Sequence, residues 1–237
     1  MVGKPGRTQT LQEDGDGVGR IFREPVNGLT HAVGALFSAV ALVVLVREAV
    51  AQGPMGAVVG AGIFGTSLVL LYSASALYHL LPLSERGIAI LRRLDHAMIY
   101  VLIAGTYSPV LLGALGGPWG WTLFGLVWGL ALVGILLKIV WFGTPRWLTV
   151  LFYVGLGLLV IPMLPFLLEG LPARSLLWIG VGGVFYLVGA AIYGFRWPNL
   201  SPGRFGFHEL WHLFVMAGSA SHVWAVWILM RASAGAP

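Results

Sequence analysis

FHELWHLFVMAGSASHVWAVWILM, Phe207–Met230, is the stretch whose reading decides the fold. Its 24 residues contain no Lys or Arg and a single acid, Glu209. About 20 such residues carry a helix across the hydrocarbon core of a bilayer. Two histidines, His208 and His212, stand four apart at its start and therefore share one helix face. Ionisable groups inside a span are costly, and they mark functional sites by default.

Working outward, six more apolar stretches of similar length precede it: Val26–Val46, Met55–Leu81, Leu94–Leu115, Trp119–Trp141, Trp147–Leu168 and Ser175–Phe195. The joints between them carry Gly and Pro, as at Gln52-Gly53-Pro54, Gly116-Gly117-Pro118 and Gly143-Thr144-Pro145. Over the 237 residues, 58% are hydrophobic and 10% charged, too little polar surface to coat a water-soluble globule. The expected fold is an all-α integral membrane protein, a seven-transmembrane helix bundle. Residues 1–23 are polar, rich in Gly and without an apolar core, and read as a flexible N-terminal tail in place of a secretory signal. Residues 24–231 form the transmembrane domain and 232–237 a short C-terminal tail.

Lys and Arg set the orientation. With a cytoplasmic N-terminus, 11 of the 14 basic residues face the cytoplasm, and only Arg47, Arg174 and Arg231 lie outside. That bias satisfies the positive-inside rule and puts the C-terminus outside. The net charge of +5 is then a topology signal, which argues against nucleic-acid binding. The expected location is a bacterial inner (plasma) membrane, in contact with membrane lipids.

Glu24, Asn27, His31, Ser75, His79, Asp95, His208 and His212 all fall near cytoplasmic span ends in this topology. At a rise of 1.5 Å per residue they sit within roughly 10 Å of one interface. Glu24, Asn27 and His31 recur at i, i+3 and i+7, as do Tyr72, Ser75 and His79, so each set follows one helix face. The chain has no Cys, so a transition metal would be held by His and carboxylate. His208 and His212 have the spacing by which HExxH helices hold zinc, and His79 would complete three nitrogens with an open position. Asp95 could serve a water there or the outer ring hydrogen of a ligand.

Structural readings stand beside each of these. Glu24 and Asn27 could cap the first helix, and Ser75 could bond back to its own helix. His96 adjoins Asp95 but points about 100° away, and His222 lies about 15 Å beyond His212, too deep for the same site. Small-residue faces at Gly56/Gly60 and Gly125/Gly129 could serve either helix packing or a lateral opening to the bilayer.

Four motifs in order, EPVNGLTH (24–31), SALYH (75–79), LRRLDH (91–96) with GTYSP (105–109), and HELWH (208–212), resemble the haemolysin III family. This is the bacterial branch of the progestin and adipoQ receptor family, related to alkaline ceramidases. The resemblance runs from about Glu24 to Arg231. It implies a zinc ion held by His79, His208 and His212, with Asp95 on a zinc-bound water and Ser75 beside the site. Glu24, Asn27 and His31 match a family motif expected to support the ligands from outside. The activity it implies is zinc-dependent, ceramidase-like hydrolysis of lipid amides. Two alternatives accompany it: a non-catalytic regulator of membrane lipid state with structural zinc, and a haemolysin-type cytolytic or pore-forming protein.

Overall fold

A computed structural model describes residues 22–141, 143–201 and 205–232; the expected N-terminal tail to residue 21 and the last five residues lie outside the described segments. Helices account for the regular structure among the described residues, beside one isolated bridge between Ser201 and Phe205. In chain order they are α1 (Pro25–Gln52), α2 (Met55–Leu80), α3 (Glu85–Pro109), a π-helical turn (Val110–Leu115), α4 (Gly117–Val140), α5 (Arg146–Gly157), α6 (Val160–Gly170), α7 (Ala173–Phe195) and α8 (Phe207–Ala232). They make seven apolar spans, with α3 and its π turn forming the third and α5 with α6 the fifth. The protein is an all-α, seven-span bundle.

Two differences from the sequence expectation follow from local chemistry. The third helix begins at Glu85, well before the apolar stretch at Leu94, because Ser84 caps it: its Oγ accepts from the Gly87 N–H at 3.4 Å, with Glu85 in the first turn. The fifth span is broken at Leu158–Leu159 instead of running unbroken. Pro162 has no N–H to donate to the Leu158 carbonyl four residues back. The Tyr107 hydroxyl of α3 lies 3.0 Å from the Leu156 carbonyl and 2.6 Å from that of Gly157, supplying a donor at the break. A break at membrane depth is tolerated where neighbouring helices re-satisfy the backbone in this way.

Burial is uneven. In the apolar windows of spans two and three 50% and 56% of residues are buried, against 17% in spans four to six, so α2 and α3 form the axis of the bundle. One core cluster joins α1, α2 and α8 through Leu45, Phe64, Leu68, Val226 and Met230. A second joins α3 to α4 and the broken fifth span through Tyr100, Leu111, Val127, Leu156 and Met163. Gly56 and Gly60 serve packing: a Cβ on Gly56 would collide with the Leu112 carbonyl oxygen, and one on Gly60 would stand 2.7 Å from that of Ser108. Gly125 and Gly129 have nothing within 4 Å of such a Cβ and contribute no helix contact there.

Candidate metal centre

Three helix ends meet at one end of the bundle. The backbone before α1 is strapped to the end of α2, with Glu24 N–H donating to the His79 carbonyl at 2.9 Å. The Arg23 guanidinium donates to the Tyr78 carbonyl at 2.5 Å and lies over the Tyr78 ring. Arg23, assigned to the tail by its polarity, is therefore docked.

On this frame His79 of α2 meets His208 and His212 of α8. One ring nitrogen from each lies within 4.8 Å of the other two. His79 and His212 are each 1% exposed, and His208 is half-buried. The His79 Nε2 and the His212 Nδ1 are buried without a hydrogen-bond partner. Leaving such atoms unpaired costs about 1–3 kcal/mol each, so convergent orphaned nitrogens need an occupant that accepts lone pairs. A metal ion bound by imidazole fits that requirement.

The other nitrogen of His79 is taken. Its Nδ1 is 2.7 Å from Glu24 Oε2, and a carboxylate there accepts from Nδ1–H and leaves Nε2 as the lone-pair nitrogen. This hydrogen bond, with the charge of Arg23 beside it, draws the Glu24 carboxyl down from its ordinary value to about 2 against the opposing effect of burial. Glu24 makes no capping hydrogen bond with its side chain, so the helix-cap reading does not hold. The outer-nitrogen role weighed for Asp95 belongs to Glu24.

Asn27 Nδ2 donates to Glu24 Oε2 at 3.2 Å and to Glu209 Oε1 at 2.9 Å. Glu209 Oε2 in turn accepts from the Gly206 N–H at 2.8 Å, tying the start of α8 to α1. Sequence reasoning passed over Glu209. Its signal was an acid in the first turn of an apolar helix, between the two histidines of HELWH. His31 stacks on His212 with ring centroids 3.8 Å apart and meets the edge of Tyr72 at 5.0 Å. Both of its ring nitrogens are buried and unpartnered, yet it stands outside the three-histidine group.

Asp95 of α3 and Ser75 of α2 are also buried, at 7% and 2% exposure. The Asp95 carboxyl has Ser75 beside it and lies within electrostatic reach of His79. Six of the eight polar residues singled out from the sequence thus belong to the histidine cluster or touch it or Glu24, and Asp95, with Ser75 beside it, lies within electrostatic reach of His79. His222 is elsewhere, with its Nδ1 2.9 Å from the Gly218 carbonyl of its own helix.

Residues 20–223 match the family described as Haemolysin-III related. The chain belongs to this haemolysin III family. It is 40% identical to Hemolysin-3 of Bacillus cereus over 204 residues, covering 84% of this chain and 88% of that one. Hemolysin-3 homolog of Bacillus subtilis (strain 168) is 39% identical over 206 residues, 87% and 93% of the two chains. The human monocyte to macrophage differentiation factor is 25% identical over 178 residues, 70% and 68% of the two. The bacterial members and the human relative thus share most of this chain's length, and this haemolysin III protein is a multi-pass membrane protein like the family it matches.

Proposed function

We propose that this haemolysin III protein is a zinc-dependent hydrolase of lipid amides whose site opens near the cytoplasmic face of a bacterial plasma membrane. The observation that carries the reading is the convergence of His79, His208 and His212 with a buried aspartate, Asp95, within electrostatic reach of His79. The three histidines would hold the ion. Zinc supplies Lewis acidity towards a carbonyl oxygen and makes water a nucleophile near neutral pH.

The chain's own residues perform the proton transfers. Asp95 takes a proton from the attacking water as the new C–O bond forms, then passes it to the amide nitrogen as the C–N bond breaks, releasing a carboxylic acid and an amine. The Ser75 hydroxyl, beside Asp95, has one proton to give and would donate it to the oxygen that gains charge. Glu24 keeps the His79 lone pair directed inward, and Asn27 joins Glu24 to Glu209 so that α1 and α8 hold their relative position.

An apolar cavity that comes within one side chain, Tyr72, of His31 from the bilayer side supports a lipid substrate. A cavity of about 450 Å³ between α1, α2 and α8 opens on the apolar flank, along Phe37, Val40, Leu68 and Trp227, and ends against Tyr72. Its volume lies in the range of small-molecule sites. Tyr72 separates it from the histidines, with its hydroxyl donating to Ser219 at 2.7 Å and its ring on His31. The name Hemolysin-3 attaches lysis to that relative. Here the buried ionisable groups (His31, His79, Asp95, Lys138 and His212) gather towards one end of the bundle, which favours a site over a pore.

The test is elemental analysis of purified protein beside a His208→Ala/His212→Ala variant, with folding checked by thermal unfolding, followed by a lipid-amide hydrolysis screen. One zinc per wild-type chain, lost in the variant, and hydrolysis that requires Asp95 support the reading. Zinc without hydrolysis in wild type and Asp95→Asn alike assigns the metal a structural role and overturns it.

A further inference from the structure

Asp95 and His96 are neighbours in sequence, but His96 belongs to a second polar site. Arg92, His96 and Tyr100 recur every four residues and form one stripe of α3. That stripe meets the end of α4 and the start of α5. Arg92 and Lys138 are within electrostatic reach of each other and both of His96. The Tyr153 hydroxyl donates to the His96 carbonyl at 3.0 Å. Tyr100 and Lys138 line one cavity of about 80 Å³ with Leu137, Trp141, Thr144 and Leu148.

Lys138 is the unusual member. It is 9% exposed, and its ammonium donates to Thr149 Oγ1 at 2.7 Å. An ammonium carries three donors, and Thr149 accepts one. Among the described residues no carboxylate pairs with Lys138, whereas Glu24 pairs with both Arg23 and His79. Thr149 stands in the first turn of α5, so the positive pole of that helix adds to the field. A cation withdrawn from water with a second cation, Arg92, in reach and two donors to spare calls for an anion.

We propose that this pocket between α3, α4 and α5 binds the phosphate headgroup of an anionic phospholipid, with Lys138 as its principal cation. The membrane position selects a lipid over free phosphate. Lys138 is two residues from the end of α4, at the depth where basic pockets between spans meet headgroups. The remaining walls, Leu137, Trp141, Leu148 and Phe152, are apolar and suit the glycerol and upper acyl carbons. The bound lipid braces α3 on the side away from Asp95.

Native mass spectrometry of the full chain tests this, with phosphatidylglycerol, phosphatidylcholine and inorganic phosphate as probes. Wild type retains phosphatidylglycerol over phosphatidylcholine, and inorganic phosphate does not displace it. Lys138→Gln lowers that preference about fivefold, the weight of one interfacial cation. Lys138→Arg keeps it, and so does Arg174→Gln at the opposite end. Equal retention of the two lipids by wild type, displacement by inorganic phosphate, or an undiminished preference in Lys138→Gln overturns the proposal. Should Lys138→Gln fail to fold, the wild-type competition and Lys138→Arg still decide it. The readout involves neither zinc nor hydrolysis, so its failure is separate from failure of the hydrolase reading.

Discussion

The two faces of α3 hold two kinds of buried polar site. Towards α1, α2 and α8, histidines are matched by carboxylates from the segment before α1 (Glu24), from α3 (Asp95) and from α8 (Glu209), and the polar groups interlock through Asn27. Towards α4 and α5, Lys138 has a hydroxyl partner and one cationic neighbour, Arg92, but no described carboxylate. The first site supplies its own counter-charges and leaves lone pairs over, the condition for holding a cation. The second presents a buried ammonium with donors to spare, the condition for holding an anion. Adjacent residues, Asp95 and His96, thus belong to opposite chemistries because about 100° of helix rotation separates them.

This contrast can be broken most forcefully on the histidine side. His208→Ala/His212→Ala is expected to take zinc from one per chain to none by elemental analysis, because a single remaining imidazole cannot hold the ion. Asp95→Asn should keep the zinc and lower hydrolysis by about 10²- to 10⁴-fold in a steady-state assay, the range for loss of a general acid–base group. Glu24→Gln removes the carboxylate on His79 and should weaken zinc affinity by about 10- to 100-fold in a chelator competition.

Glu24 also carries a pH signature. Its carboxyl is drawn below the ordinary 4.5 to about 2 in the folded protein, so its contribution to stability is complete above about pH 4.5 and fades as the pH falls towards 2. The difference in thermal unfolding between wild-type and Glu24→Gln metal-free protein should shrink over that window. An unchanged difference would separate Glu24 from His79. The smallest effect belongs to the anion side: in phosphatidylcholine alone Lys138→Met should leave the unfolding temperature unchanged or raise it, since replacing a buried charge that no described carboxylate pairs by an apolar side chain removes its desolvation cost. A clear fall would mean that the chain itself supplies the missing counter-charge.

Much of this architecture is legible in the amino-acid sequence. Apolar stretch length locates the seven spans, and the i, i+4 spacing of His208 and His212 aligns two of the three clustered histidines, because both properties are local to one helix. The early start of α3 is hidden because hydropathy measures lipid contact, whereas Ser84 begins the helix outside the apolar stretch. Pro162 carries a signal for the break in span five, but the hydroxyl that tolerates it comes from Tyr107, about fifty residues away in sequence.

The sequence by itself determined that this chain crosses a membrane seven times and that Glu24, Asn27, His31, Ser75, His79, Asp95, His208 and His212 approach one end, since composition and helical rise suffice for both. Only the tertiary structure decided that Glu24 turns from capping to His79, that Glu209 reaches Asn27, that His31 lies on His212, and that Lys138 finds a hydroxyl where a carboxylate was wanted. Those outcomes depend on how far each helix is rotated about its axis and how closely it approaches its neighbours. Rotation and approach are set by side-chain packing across the whole bundle, which no single helix's periodicity encodes.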